Sequence, residues 1–151
     1  MYHYISMTPS HLTDVLKTER SAYSHPWTEG NFRNCIASGY DCKLMLQAQD
    51  SNRLCGYFVM YVAVGEAHLL NLCVAPEFQK RGLAHQMLTE MNRIALGQGA
   101  ETFFLEVRES NTRAIEIYSC AGFNEVGLRK NYYPAAQGRE HAIIMAKSLV
   151  E

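Results

Sequence analysis

The sequence predicts an α/β (α+β) fold, a mixed and mostly antiparallel sheet of about seven strands with flanking helices. Two patterns carry that prediction. Three apolar runs, CKLMLQAQ, RLCGYFVMYVAV and EAHLLNLCV, follow one another with only the polar breaks DSN and GE between them, the spacing of antiparallel hairpins. From Leu83 the apolar period becomes helical, and a continuous apolar run, TFFLEV, comes next. A strand, a helix and a second strand in succession form a right-handed crossover, so this part of the sheet is expected to be parallel.

The elements can be taken in order. YHYISM reads as a first strand, and TPSHLTDVLKTERSAY as a helix that Thr8 or Ser10 caps, with Pro9 in its first turn. Its inner face is Leu12, Val15, Leu16 and Glu19, mostly apolar. HPWTEGNFRNCIASG reads as a second short helix, capped by Thr28, with Phe32 and Ile36 four apart and Gly39 closing it. The three strands follow. A helix then carries Leu83, Met87, Leu88, Met91, Ile94 and Ala95 until Gly97 and Gly99 stop it. TFFLEV has the look of a strand buried on both faces. SNTRAIEIYSCAG is a capped helix ending at Gly122, and FNEVGLRK and EHAIIMAKSL supply the last two strands.

Composition narrows the class. At 151 residues and 48% hydrophobic, the chain is expected to be one domain, residues 1–151. Lys and Arg (14) nearly balance Asp and Glu (15), so no overall positive field points to nucleic acid or an anionic membrane. The five cysteines, Cys35, Cys42, Cys55, Cys73 and Cys120, are scattered without a C-x-x-C and read as buried reduced thiols. The six histidines have no H-x-x-x-H or H-E-x-x-H spacing, so no metal is expected. The first residues lack a basic segment followed by an apolar one, and the longest apolar run, Tyr57 to Val64, is too short for a bilayer. A cytoplasmic protein without membrane or direct nucleic-acid contacts is therefore expected; a monomer is expected too, although nothing in the sequence fixes the oligomeric state. Met7, Met45 and Met60 read as packing residues.

The stretch EFQKRGLAHQML places a polar, basic turn with one glycine directly before a helix. Such a turn exposes unpaired backbone N–H groups at the positive end of the helix dipole, which attracts phosphate. Gly82 lets the backbone approach an anion, and Gln79, Lys80 and Arg81 offer further donors. The turn is neither a Walker A loop nor a Rossmann turn.

Gln79-x-x-Gly82-x-Ala84 matches the acetyl-coenzyme A pyrophosphate motif of the GNAT acetyltransferases. LLNLCVAPEFQKRGLAHQML and LEVRESNTRAIEIYSCAGF resemble that family's strand, turn and helix and its next strand and helix. HPWT, LEVRESN, RKNYYP and GREHAIIM look more narrowly like its RimI branch, which acetylates the N-terminal alanine of the eighteenth small-subunit ribosomal protein. The resemblance runs from about Tyr2 to Leu149. It implies a GNAT fold with the parallel pair at the cofactor site, and acetyl-coenzyme A as cosubstrate. It also implies cofactor contacts from Leu72, Cys73 and Val74, from Gln79, Lys80, Arg81, Gly82, Leu83 and Ala84, and from Asn111 and Tyr118.

Acyl transfer from a thioester to an amine needs a base, an oxyanion donor and an acid. Alternation puts Phe103, Leu105 and Val107 on one strand face and Phe104, Glu106 and Arg108 on the other, with Glu106 near the C-terminal end where ligands gather. Apolar neighbours are expected to raise its pKa; the bland alternative is a structural carboxylate paired with Arg108 or a lysine. The resemblance puts the general base at Glu106. Tyr118, on a stripe with Ala114, Ile115 and Ala121, is either a core tyrosine or the proton donor, and the resemblance makes it the general acid. The backbone N–H of Val74 is the expected oxyanion donor, where the family's fourth and fifth strands splay. Cys73 as a covalent nucleophile is disfavoured, because the motif sets no histidine beside it.

Asn111 either caps its helix or touches the pantetheine arm. Tyr132 and Tyr133 are either a wall for the acceptor peptide or surface aromatics, Trp27 either packs or borders the acceptor groove, and His85 is expected to be exposed. An α-amine of pKa near 7.7 is about one-third neutral at physiological pH, against about one per thousand for a lysine near 10.4. This favours an N-terminal α-amine over a lysine side chain as acceptor; the resemblance implies that it is the N terminus of a ribosomal protein, in an acidic groove the sequence does not identify. The competing functions are a lysine, polyamine or small-amine acetyltransferase and a non-catalytic acetyl-coenzyme A-binding module.

Overall fold

The structure is a computed structural model and describes residues 1–49 and 52–150. Its elements are β1 (Tyr2–Ser6), α1 (Leu12–Ala22), α2 (Glu29–Ala37), β2 (Asp41–Gln47), β3 (Arg53–Ala63), β4 (Glu66–Val74), α3 (Leu83–Gly97), β5 (Thr102–Arg108), α4 (Thr112–Cys120), β6 (Asn124–Pro134) and β7 (Arg139–Ser148). The seven strands join in the order β1-β2-β3-β4-β5-β7-β6. The chain groups into two compact units, Met1–Tyr61 with Asn71–Met87 and Val62–Leu70 with Leu88–Glu151.

In the first unit β1 pairs antiparallel with β2, and β2 pairs antiparallel with β3, the second pairing being the one the hairpin spacing predicts. Leu12, Val15 and Leu16 recur at helical spacing on α1 and pack with Phe32 of α2 against Leu44, Leu46, Tyr57 and Val59, which alternate along β2 and β3. Burying each of these large side chains contributes about 1.5–3 kcal/mol. Met7, Met45 and Met60 are buried too. At the start of α2 the Thr28 hydroxyl accepts from the Asn31 N–H and the Asn31 side chain accepts from the Thr28 N–H, a capping box. Gly39, at φ +75°, follows its end as expected. The start of α1 differs. Pro9–His11 form a separate 3-10 turn, and the Thr8 N–H donates to His11 Nδ1 at 2.9 Å, so the α-helix proper begins three residues later than the caps suggest.

A register shift between Met45 and Leu46 leaves Cys55 as the extra residue of β3, a bulge that brings Gly56 against β4. A Cβ at Gly56 would lie 2.3 Å from the Cys73 carbonyl oxygen and 3.2 Å from Val74 Cα. Gly56→Ala is therefore expected to cost about 1–3 kcal/mol by forcing the strands apart, which a urea denaturation curve would measure; wild-type stability would mean that the backbone gives way freely.

In the second unit β4 and β5 run parallel over Glu66↔Thr102, Ala67↔Phe103 and His68↔Phe104, the predicted crossover pair. The turn before β4 falls on Val64 (φ +51°) and Gly65 (φ +76°), so Glu66 of the expected GE break is already strand. β7 pairs antiparallel with β5 on one side and with β6 on the other. β5 is not buried on both faces as the run TFFLEV suggests. Phe103, Leu105 and Val107 are buried, whereas Phe104, Glu106 and Arg108 are half-exposed, and Phe104 fills the apolar run by stacking on His68 at 5.5 Å. β6 is longer than expected and takes in RKNYYP, with irregularities between Glu125 and Gly127 and between Arg129 and Tyr133. Among the described residues no helix is long and apolar enough to cross a membrane.

Candidate active site

The residues singled out in the sequence fall into two groups, one in each unit. The first centres on the end of β4 and the turn before α3. The hydroxyl of Tyr23 donates to the Leu72 carbonyl. The Cys73 side chain is buried, and burial pushes its thiol up to about 12. Burial therefore disfavours the thiolate, the form a nucleophile needs. The Ala75 N–H donates to the Cys55 carbonyl at 2.7 Å. Alternation along the strand therefore turns the N–H of Val74 away from β3, as an oxyanion donor requires.

The turn itself is shaped by its own side chains. Gln79 Nε2 reaches back to the Val74 carbonyl at 3.2 Å, and Arg81 donates to the Glu77 carbonyl and lies 5.1 Å from the Phe78 ring centroid. Both were expected to offer donors to phosphate; here they brace the loop. Lys80 (φ +65°) and Gly82 (φ +78°) both take left-handed backbone. The first bond of the 15-residue α3 runs from Gln86 N–H to the Gly82 carbonyl, so the N–H groups of Leu83 and Ala84 precede the ladder. The Leu83 side chain is buried and His85 is exposed, so Leu83 offers only its backbone. Nothing lies within 4 Å of where a Cβ on Gly82 would stand. Open space before a long helix's N terminus suits a pyrophosphate. Trp27 is half-buried, its ring 5.1 Å from that of Phe32, and its backbone N–H donates to Glu19 Oε2.

The second group lies on one face of β5, β7 and β6. Glu106 is about one-third exposed (33%) and both of its oxygens accept from Arg129 Nη1, at 3.1 and 3.2 Å. The apolar setting and the Arg108 or lysine partner considered from sequence are thus corrected: the partner is Arg129. Arg108 turns instead to Glu140 at 2.9 Å and the Pro134 carbonyl at 2.6 Å, because its register partner Ala142 sets it two residues from Glu140. Hydrogen bonds from Ser110 and Arg108 hold the Glu140 carboxyl below its usual range.

The guanidinium of Arg129 lies 4.0 Å from the Tyr132 ring centroid and that of Arg108 4.5 Å from the Tyr133 centroid. Both tyrosines belong to β6, with Tyr132 exposed and Tyr133 half-buried; burial and then the Glu106 charge push the Tyr133 phenol up to about 12. Tyr118 is buried on α4 and meets Phe123 edge-on at 5.9 Å. Burial, aided by Tyr133, pushes its phenol up, keeping it protonated. Its hydroxyl meets no hydrogen-bonding partner among the described residues. Asn111 caps α4, its Oδ1 accepting the Ala114 N–H at 3.2 Å.

Residues 12–123 match the model of the acetyltransferase (GNAT) family. The chain belongs to the GNAT acetyltransferase family. The enzyme is 39% identical to the [ribosomal protein bS18]-alanine N-acetyltransferase of Salmonella typhimurium over 140 residues, 93% of each chain. The crystal structure of the ribosomal-protein-S18-alanine N-acetyltransferase from Escherichia coli superposes on this acetyltransferase with a TM-score of 0.90 at 33% identity, covering 100% of this chain and 96% of that one. NAA60 of Arabidopsis thaliana, in complex with acetyl-CoA, shares the fold with a TM-score of 0.86 at 16% identity, each chain covered to 98%.

Three residues of the acetyltransferase were missed as interacting groups. Arg129 is set beside Glu106 by the β6–β7 register, which local pattern does not carry. Glu19 was placed on the inner face of α1 but not as a buried carboxyl. Gly56 left a signal, a lone glycine inside an apolar strand run.

Proposed function

We propose that this acetyltransferase moves the acetyl group of acetyl-coenzyme A directly to the N-terminal alanine of ribosomal protein bS18, as a metal-independent cytoplasmic monomer. The observation that carries the acceptor is the 39% identity across 93% of the chain with a relative of that activity. The paired carboxylate and uncommitted phenol of the second unit support acyl transfer to an amine.

Bound acetyl-coenzyme A supplies the thioester acetyl group. The Leu83 and Ala84 N–H groups, with Lys80 and Gly82 beside them, hold its pyrophosphate, and Leu72, Cys73 and Val74 line its arm with their backbone. Glu106 takes the proton of the acceptor α-amine, the Val74 N–H receives the negative oxygen, and Tyr118 gives its proton to the departing thiolate. Tyr132 and Tyr133 flank the acceptor. Tyr118→Phe is expected to lower kcat by about 10²-fold, with acetyl-coenzyme A affinity kept; a wild-type kcat would leave Tyr118 as a packing residue only.

The acceptor is tested by incubating the protein with acetyl-coenzyme A and unacetylated small-subunit ribosomal proteins and locating the added mass by fragmentation. One acetyl group on the bS18 N-terminal alanine is expected. Acetyl groups on lysine side chains instead, or none on bS18, would overturn the acceptor.

A further inference from the structure

The face that carries Glu106 holds two arginines, and they are held very differently. Arg108 is 22% exposed and is fixed by Glu140, the Pro134 carbonyl and the Tyr133 ring. Arg129 is 49% exposed and bonds through one nitrogen, Nη1, to Glu106 alone. Its other contact is the Tyr132 ring, itself 40% exposed. Its Nε and Nη2 donate to none of the described residues. A half-exposed guanidinium with one ion pair and one aromatic face is weakly tied and free to swing.

Proton transfer needs the acceptor nitrogen within hydrogen-bond reach of a carboxylate oxygen, about 2.6–3.2 Å or through one water. Arg129 Nη1 already bridges both Glu106 oxygens at that distance. A cationic or neutral amine approaching between those oxygens meets a cation in its place. We propose that Arg129 is a displaceable counter-ion of Glu106, a positioning residue that orients the carboxylate and competes with the acceptor amine for it. The inference rests on the reading of Glu106 as the base. Tyr132 gives the released guanidinium a platform close to where it started, so displacement does not require Arg129 to leave the site.

The test uses the full chain, with steady-state kinetics on two acceptors, alaninamide and a synthetic peptide of the bS18 N terminus. In Arg129→Met the acceptor KM is expected to fall about two- to five-fold, the worth of one exposed ion pair. At the same time kcat falls, because Glu106 loses the group that orients it, and the KM for acetyl-coenzyme A stays put. Arg129→Lys, which restores a cation at that position, returns the acceptor KM to the wild-type value. Loss of packing alone does not lower a KM, so this split separates positioning from structure. An acceptor KM unchanged or raised in Arg129→Met overturns the counter-ion role. Wild-type turnover of alaninamide with none of the peptide would remove bS18 as acceptor and leave the Arg129 comparison intact on alaninamide. Full turnover by Glu106→Gln would remove the base and this proposal together.

Discussion

Glu106→Gln is expected to lower turnover by about 10²–10⁴-fold, the usual worth of a positioned general base. The substitution keeps the shape of the side chain and an oxygen that still accepts from Arg129, but an amide takes no proton from an ammonium. Glu106 is one-third exposed on a strand whose buried face belongs to Phe103, Leu105 and Val107, so the fold does not depend on its charge. Affinity for acetyl-coenzyme A is expected to be unchanged, because the turn Gln79–Ala84 is built from its own backbone and from Glu77, Phe78 and Val74. The measurement is thiol release with a saturating α-amine acceptor, beside calorimetric titration of the cofactor. A variant that binds cofactor and turns over at the wild-type rate would take Glu106 out of the chemistry.

Glu106 was legible because strand alternation is strict. Once TFFLEV is a strand, Glu106 must share a face with Phe104 and Arg108, whatever the rest of the chain does. The Thr28 cap, the Gly39 stop and the turn before α3 were legible for a similar reason, being decided within a few residues. The partner of Glu106 was not. It depends on which β6 residue faces Ala142, and two irregularities in β6, after Glu125 and after Arg129, set that register. A slip of one residue would have sent Arg129 to the other face. The extent of β6 was hidden by its polar, exposed sequence, since an edge strand held on one side by β7 has little apolar pattern to show. The side-chain directions of Gln79 and Arg81 were hidden too: both are plausible phosphate donors by type, and only the folded turn shows them bonded to the Val74 and Glu77 carbonyls. The turn at Val64 and Gly65 defied expectation because a β-branched residue rarely adopts positive φ.

Glu19 shows the same limit with a larger energy attached. Its place on α1, three and four residues from Leu16 and Val15, marks the inner face, where a carboxyl is not expected to stay without partners. Those partners arrive from far along the chain. Tyr57 donates its hydroxyl to Oε1 at 2.7 Å across 38 residues, and Asn71 Nδ2 lies 3.3 and 3.4 Å from the two oxygens across 52. The Trp27 N–H donates to Oε2 at 2.9 Å. Glu19 is 1% exposed and Asn71 7%, so water has little access to replace it. Removing the carboxyl leaves an amide and a backbone N–H without this acceptor, and leaves the Tyr57 hydroxyl only the Val15 carbonyl at 3.5 Å, each loss worth about 1–3 kcal/mol when buried. Glu19→Ala is therefore expected to destabilise the protein by about 3–5 kcal/mol, a fall in Tm of roughly 10 °C at this chain length. Glu19→Gln keeps the volume and one acceptor oxygen but turns an NH₂ toward other donors, so its loss is smaller. The order wild type, Gln, Ala in thermal and urea unfolding is the expected result, and an Ala variant within about 1 kcal/mol of wild type would mean that the three donors find other partners. Asn71 directly precedes Leu72, Cys73 and Val74, and Tyr23, four residues after Glu19, holds the Leu72 carbonyl. A weakened network at Glu19 thus loosens the strand end that presents the Val74 N–H, and Glu19→Gln, which is folded enough to assay, is expected to raise the KM for acetyl-coenzyme A.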